Sequence, residues 1–125
     1  MNAALKDGIM PEAVVLHRDT VFRWLDTGYD KIQLKEDVSV VVGNIIKNPI
    51  FTSTSFDSFS LPGRDTELLI TVPKGYRGCQ YLKPIAFDYF KNQEVLFARG
   101  LSYTVKLAKI ENNKIVLEEE VLPNE

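Results

Sequence analysis

Short apolar segments alternate with polar turn residues along the chain, and this pattern predicts a series of strands rather than long helices. The last two predicted strands are joined by Glu111-Asn112-Asn113, a sequence typical of a tight hairpin turn. The chain contains no linker, internal repeat or low-complexity tract, so we expect one mainly β domain. The predicted strands are Ala13–Arg18, Ile50–Ser55, Glu67–Pro73, Cys79–Leu82, Glu94–Ala98, Ser102–Ile110 and Lys114–Leu122.

Helix-forming patterns are few and short. Residues 1–12 predict an N-terminal arm or short helix before the domain. A second helix is predicted over residues 21–26, where Asp19 and Thr20 can provide the cap. The run Val38–Val42 is β-branched, which is typical of strands. The sequence therefore predicts an α+β fold that is mainly β.

Composition narrows the class of protein. With 125 residues, 45% of them hydrophobic and 26% charged, the chain has the make-up of one soluble globular domain. A formal net charge of −2 disfavours nucleic acid and anionic membranes as partners. It therefore also disfavours the hypothesis of a small β-barrel that binds single-stranded nucleic acid. No apolar run is long enough to span a membrane, and residues 1–13 do not form a secretion signal.

The lone cysteine and the lone histidine offer little chemistry. Cys79 has no second cysteine for a disulfide and no ligand cluster for a metal, so we expect a small buried side chain and no metal site. A Cys-His or Ser-His-Asp mechanism would depend on His17 alone, which makes it a poor hypothesis.

Polar groups mark the ends of three predicted strands. Arg18 ends the first, and Glu94 opens another. Thr52–Ser55 places four hydroxyls in a row, which a strand cannot bury without hydrogen-bond partners. We therefore expect these hydroxyls to bond to one another or to a group in a cleft.

Four segments of the chain, taken in order, resemble motifs of the mono-ADP-ribosyltransferase toxin family. The resemblance runs from about residue 13 to 120, within a core of 13–125, and is to the arginine, Ser-Thr-Ser, glutamate subclass of actin- or Rho-modifying exoenzymes and phage relatives. It implies two packed antiparallel or mixed sheets around an NAD cleft, and transfer of ADP-ribose from NAD to a protein with release of nicotinamide. The matching segments are Val14–Arg18, Phe51–Ser55, Val72–Gly75 and Asn92–Gly100.

The resemblance implies catalytic roles for three residues. Arg18 would bind a phosphate of NAD, which suits the planar fork of a guanidinium. Ser53 would hold Glu94 toward the nicotinamide ribose. Cleavage of the nicotinamide glycosidic bond develops oxocarbenium character on the ribose, and the fixed anion of Glu94 would stabilise that charge.

The resemblance also implies a set of NAD contacts around Arg18. Thr54 and Ser55 would shape the floor of the cleft. In the loop that follows, Phe56 or Phe59 would pack beside the nicotinamide and Arg64 would make a second phosphate contact. Asp19 stands where the family usually has a glycine whose backbone pairs with the nicotinamide amide, and its charge is expected to weaken NAD binding by repelling the phosphates.

The segment before Glu94 corresponds to the loop with which the family recognises its target protein. Tyr89, Phe90 and Asn92 are the implied contacts, because exposed aromatic side chains are good anchors for a partner. Asn92 lies two residues before Glu94, where arginine-modifying members carry a glutamate. An amide cannot act as a general base, so we expect the acceptor to be asparagine, glutamine or water rather than arginine.

The length of the chain leaves alternatives open. Only about twelve residues precede the arginine strand, whereas family members usually carry several helices there. The chain is therefore expected to be a minimal member, a fragment, or a domain completed by a partner domain or a second copy. A non-catalytic binding or structural module of a phage or toxin complex is the alternative function. The expected site of action is cytoplasmic, after phage injection or toxin delivery.

Overall fold

A computed structural model describes residues 9–10, 12–56, 62–82 and 94–122. Its helices are short: α1 (Lys31–Glu36) and two 3₁₀ helices, Phe22–Trp24 and Val38–Val41. The strands are β1 (Val14–Thr20), β2 (Ile45–Asn48), β3 (Thr52–Ser55), β4 (Thr66–Val72), β5 (Cys79–Leu82), β6 (Glu94–Phe97), β7 (Leu101–Glu111) and β8 (Lys114–Val121). The α+β, mainly β fold class is confirmed.

One mixed sheet contains all eight described strands, in the order β2-β7-β8-β4-β1-β3-β6-β5. Only β4 and β8 run parallel; the other described pairs are antiparallel. In this order β2 and β3 stand five strand spacings apart, which in a flat sheet would be about 24 Å. Along the chain only residues 49–51 separate them, a connection that reaches at most about 14 Å. The sheet must therefore bend strongly, so that the end of β2 comes close to the start of β3.

At the bend, the β2–β7 pair is continued by the β3–β6 pair, so both strands of the ladder change direction at the same corner. Asn48 pairs with Leu101 before the corner and Thr52 pairs with Phe97 after it, so the β2–β7 ladder continues in the same register as the β3–β6 ladder. The amide N of Gly100 donates to the carbonyl O of Asn48 at 2.9 Å, and Nδ2 of Asn48 donates to Oγ1 of Thr52 at 2.8 Å. These bonds fix the corner and with it the concave inner face of the sheet.

Strand alternation places one set of side chains on that inner face. Leu16 on β1, Leu68 on β4 and Leu117 on β8 all lie on this face, and each is fully buried. Cys79 is also buried, as predicted. Before β1, Met10 is buried and Ile9 pairs with Arg77, so the end of the predicted arm packs against the core. Residues 1–8 and 11 lie outside the described part of the chain.

Two predictions around the first strand are wrong. Asp19 and Thr20 belong to β1, where they pair with Glu67 and Thr66, so they do not cap a helix. The predicted helix 21–26 is only the 3₁₀ helix Phe22–Trp24, and no side chain caps its start. Residues 19 and 20 pair with β4 through their backbones, so the strand continues to Thr20 instead of ending at Arg18.

The β-branched run Val38–Val42 is also not a strand. Residues 38–41 form a 3₁₀ helix, at whose start the Asp37 side chain accepts a hydrogen bond from the amide N of Ser39 at 3.0 Å. The strand in this region is β2, which sequence analysis missed. By contrast, the predicted hairpin turn is confirmed, with positive φ values at Asn112 (52°) and Asn113 (63°).

Candidate active site

Arg18 occupies an inner-face position on β1 and is tied to the strand beside it. Its Nη1 donates a hydrogen bond to the main-chain carbonyl O of Ser53 at 2.9 Å. Burial lowers the pKa of Arg18, and the positive charge of Arg64 lowers it further, while Tyr103 and Glu119 oppose this. The arginine and the Ser-Thr-Ser segment, 35 residues apart in sequence, are therefore joined directly in the fold.

The strand register also brings Glu94 to the Ser-Thr-Ser segment. Ser55 pairs with Glu94 on β6 and with His17 on β1, whereas Ser53 pairs with Leu96. In this register Ser55 stands directly opposite Glu94, and Ser53 stands two residues before Ser55 on the same strand. The resemblance assigns the contact with Glu94 to Ser53, and that assignment stays a prediction.

The two threonines of β3 point to the inner face, and their hydroxyls bond to neighbouring segments of the chain, so the expectation that they bond to one another or to a group in a cleft is wrong for them. Thr54 Oγ1 donates to the carbonyl O of Val95 at 2.7 Å, and Thr52 Oγ1 accepts from Asn48. Both side chains are buried. Thr54 therefore locks β3 to β6, which keeps the Ser55–Glu94 pair in register.

A cavity of about 540 Å³ opens between the end of β1 and the strand β2 that faces it across the bend. This volume falls within the usual range for small-molecule sites. Of the predicted site residues that the structure describes, only Arg18 lines it. The other lining residues were not predicted; they are Thr20, Trp24, Leu25, Asp26, Ile46–Ile50 and Tyr103.

Trp24 lines the cavity, and Arg64, which is not a lining residue, stacks on the Trp24 ring. The Cζ atom of Arg64 lies 4.8 Å from the centroid of the Trp24 ring, a distance typical of a cation–π contact. Trp24 is 58% exposed, so the stacked pair faces solvent on one side. The positive charge of Arg64 also lowers the pKa of Arg18. That arrangement supports the predicted role of Arg64 as a second phosphate contact.

Asp19 lies on the opposite side of β1 from Arg18 because neighbouring residues of a strand alternate. Its Oδ1 is 2.6 Å from Nζ of Lys114, and its side chain is only 1% exposed. The negative charge that was expected to repel phosphates is thus balanced by a lysine and turned away from the cavity. The predicted backbone contact of Asp19 with NAD stays a prediction.

The remaining predicted site residues divide into two groups. Phe56 is partly buried and packs against the hydrophobic core. Phe59, Tyr89, Phe90 and Asn92 lie outside the described residues.

Within the described ranges, no group of three or more His, Cys, Asp or Glu side chains is arranged to hold a metal ion. The helices in those ranges include none of sufficient length and apolarity to cross a bilayer.

Asp65 holds the segment that carries the cavity wall. Its Oδ1 accepts from the amide N of Phe22 at 2.8 Å and from Thr66 Oγ1 at 2.9 Å, and its Oδ2 accepts from Lys31 Nζ at 2.9 Å. Burial by itself would raise the pKa of Asp65, but the hydrogen bonds from Phe22, Lys31 and Thr66 lower it below its ordinary value of 3.8. One carboxylate therefore links the start of β4 to the 3₁₀ helix that bears Trp24.

Asp65→Ala is expected to lower the free energy of unfolding by about 1–3 kcal/mol, because the amide N–H of Phe22 loses its acceptor. Because the folded state lowers the pKa of Asp65, its stabilising effect is complete above pH 3.8 and is lost as pH falls through the lower folded value. Urea unfolding of both proteins between neutral and acidic pH measures this. Asp37→Ala, which removes an exposed carboxylate that also caps a 3₁₀ helix, is the control. Equal stability of Asp65→Ala and the native protein at neutral pH would contradict the assignment.

Comparison with solved structures shows similarity to bacterial toxins. The C3larvin toxin of Paenibacillus larvae superposes with a TM-score of 0.74 at 23% identity, over 98% of this chain and 68% of that chain. C3stau2 of S. aureus, solved with NAD, gives a TM-score of 0.74 at 24% identity, over 93% and 65%. The C3 exoenzyme of Clostridium limosum gives 0.72 at 25% identity, over 90% and 60%.

These likenesses establish the fold, and the chain spans roughly two thirds or less of the length of the solved relatives. None of the curated protein sequences matches it significantly. The sequence profile of the ADP-ribosyltransferase exoenzymes, however, matches residues 1–124, nearly the whole chain. The protein therefore belongs to the ADP-ribosyltransferase exoenzyme family.

Proposed function

We propose that this protein is a mono-ADP-ribosyltransferase that transfers ADP-ribose from NAD to a protein side chain and releases nicotinamide. The observation that carries the proposal is the contact of Arg18 with the Ser53 carbonyl, next to the Ser55–Glu94 pair and at the wall of the cavity. It joins the proposed phosphate-binding cation to β3, the strand whose Ser55 pairs with Glu94 on β6. Membership of the exoenzyme family and the NAD named for C3stau2 support NAD as the co-substrate.

NAD binding begins with its diphosphate. A guanidinium offers several N–H donors in one plane, and Arg18 uses Nη1 for the Ser53 carbonyl, so its other donors can serve phosphate oxygens. Arg64, stacked on Trp24, supplies the second cation. Because the site is partly buried, these charges act more strongly on an anion than they would in water. We infer that they fix the diphosphate and thereby the position of the nicotinamide ribose.

The chemical step breaks the bond between the anomeric carbon of the ribose and the nicotinamide nitrogen. The electron pair of that bond goes to the pyridinium nitrogen, so nicotinamide leaves as a neutral molecule and positive charge develops on the ribose. The Glu94 carboxylate stabilises that charge and hydrogen-bonds the ribose 2′-hydroxyl, while the serines of β3 hold it in place. The acceptor side chain then attacks the anomeric carbon and loses a proton.

We propose asparagine or glutamine, or water in an NAD glycohydrolase reaction, as the acceptor. Asn92, two residues before Glu94, can orient an amide through hydrogen bonds but cannot remove a proton from arginine. Tyr89 and Phe90 precede it and remain our candidates for contacts with the target protein.

The proposed setting is the cytoplasm of a target cell, reached by toxin delivery or phage injection. We further propose that a partner domain or a second copy completes the cleft. The exposure of Trp24 and Ile50 beside the cavity supports this proposal. Sedimentation with and without NAD tests for a second copy.

The test of the function is incubation of the protein with NAD labelled in its adenylate part, together with candidate host lysates. Release of nicotinamide and transfer of the label to a protein are expected. If neither occurs, and Glu94→Ala behaves in the same way as the native chain, the protein is instead a non-catalytic module with this fold.

A further inference from the structure

A glutamate interrupts the apolar inner face of β8. The inward positions of this strand are Ile115, Leu117, Glu119 and Val121, and all four side chains are buried. Glu119 is only 2% exposed, whereas its neighbours Glu118 and Glu120 are exposed on the other side of the strand. A single acidic residue at an inward position of an otherwise apolar series requires a specific explanation.

No conventional partner satisfies this carboxyl group. Within the described part of the chain, neither Oε1 nor Oε2 of Glu119 has a hydrogen-bond partner. On the neighbouring strands it stands beside Ile70 and Val105, which are apolar. Burying an unpaired carboxylate is costly, and burial accordingly raises the pKa of Glu119 well above its ordinary value. A buried group with such a cost and no local partner points to a partner across the sheet.

That partner is Arg18. Arg18 lies on the same inner face as Glu119. Arg18 pairs with Leu68, Leu68 pairs with Leu117, and Leu117 is the inward residue next to Glu119 on β8. The two strands are separated only by β4, about 10 Å in all, a distance that a long arginine side chain can largely bridge. The charge of Arg18 lowers the pKa of Glu119 and that of Glu119 raises the pKa of Arg18, each against the effect of burial.

The attraction acts through space rather than through a direct ion pair. Among the described residues, Arg18 has no carboxylate within 4.0 Å.

Tyr103, on β7, is buried on the same face and lines the cavity beside Arg18. Burial raises the pKa of Tyr103, and the charge of Glu119 raises it further, so its phenol stays neutral. Arg18 and Tyr103 are thus the polar groups that face Glu119 from β1 and β7, and the inward residues of β4 beside it are apolar.

We infer that Glu119 is the resident counter-ion of Arg18, which competes with the phosphates of NAD for the guanidinium and so limits the affinity of the cleft for its ligand. The inference rests on the proposed function, because it assigns the ligand of Arg18. With the cleft empty, Glu119 offsets the cost of the buried guanidinium. When the diphosphate enters, two anions share Arg18, and the weaker competitor, Glu119, takes up a proton from solvent.

The test is titration calorimetry of NAD binding to Glu119→Gln, an isosteric change that removes only the charge. At about pH 8 the variant is expected to bind NAD about tenfold more tightly than the native protein, the effect of one unit charge about 10 Å away at an effective dielectric constant near 20. The difference is expected to shrink as the pH falls and the native carboxyl group takes up a proton.

Glu118→Gln and Glu120→Gln are matched controls, since each changes the net charge equally on the exposed side of the same strand. They are expected to alter NAD affinity less than about twofold, because solvent screens exposed charges. Equal affinity of Glu119→Gln and the native protein, weaker binding by Glu119→Gln, or the same gain in the controls would each overturn the inference.

The native protein provides a second measurement that does not depend on any variant folding. NAD has no group that titrates near neutral pH, so proton uptake on binding, read from calorimetry in two buffers of different ionisation enthalpy, reports the protein. Uptake is expected, and its absence over the whole range from about pH 5 to 8 contradicts a competing carboxylate. A native protein that does not bind NAD contradicts the proposed function; inorganic pyrophosphate, used with the same variants, then tests the counter-ion by itself.

Discussion

Glu94→Gln is expected to lower the rate of nicotinamide release from NAD by about a thousandfold while it changes the Kd for NAD by less than about threefold. The amide keeps the size of the side chain but loses the charge that stabilises the oxocarbenium-like ribose. Because that charge develops only in the transition state, ground-state binding of NAD is largely preserved. Rapid sampling of released nicotinamide and calorimetric NAD titration give the two quantities on the same preparation.

The control for this variant is Glu36→Gln, which neutralises an exposed glutamate at the end of α1. It should leave both the rate and the Kd unchanged. A Glu94→Gln protein that releases nicotinamide at half the native rate or faster would remove Glu94 from the chemical step. The Ser55–Glu94 register would then have only a structural role.

Arg18→Ala is expected to have the opposite signature. It should raise the Kd for NAD by roughly 10- to 100-fold, the loss typical of charge-assisted hydrogen bonds to a ligand, and lower the rate at saturating NAD by a smaller factor. The physical reason is that Arg18 holds the phosphates, which carry the same charge in the ground state and the transition state. Titration of NAD and of ADP-ribose, which lacks nicotinamide, should show the same loss.

Two further variants separate charge from geometry. Arg18→Lys keeps the charge but loses the planar fork, so it should recover part of the affinity only. Arg23→Ala removes an exposed arginine from the 3₁₀ helix that follows β1, and should leave the Kd unchanged. If Arg18→Ala abolished turnover at saturating NAD while Glu94→Gln weakened binding, the two roles would have to be exchanged.

The strands were predictable because their side chains alternate with period two, and β4, β5, β7 and β8 lie within a residue or two of the predicted bounds. The failures have local causes. Val38–Val42 has the composition of a strand, but the preceding Asp37 caps a 3₁₀ turn there. Asp19 and Thr20 have the composition of a cap, but pairing with β4 keeps them in the strand. In both cases a competing hydrogen bond decided the conformation.

The candidate site was only partly predictable. Arg18 and Ser53 could be chosen from the order of the motifs, and the structure joins them. Tyr103 and Trp24 could not, because nothing local in the sequence indicates that β7 and the segment after β1 meet across the bent sheet. Glu119 did carry a signal that was not used: an acidic residue at the inward phase of the series Ile115, Leu117, Glu119, Val121.

The sequence by itself determined seven of the eight described strands, the mainly β class and the family, because alternation and ordered motifs are properties of neighbouring residues. The tertiary structure decided the strand order, the corner at which the sheet bends, and which groups surround each charged side chain. Asp19 is neutralised by Lys114, whereas Arg18 faces a cavity that it shares with Tyr103. The physical reason is range: hydrophobic alternation acts within a strand, but burial and electrostatics act through space between residues far apart in the chain.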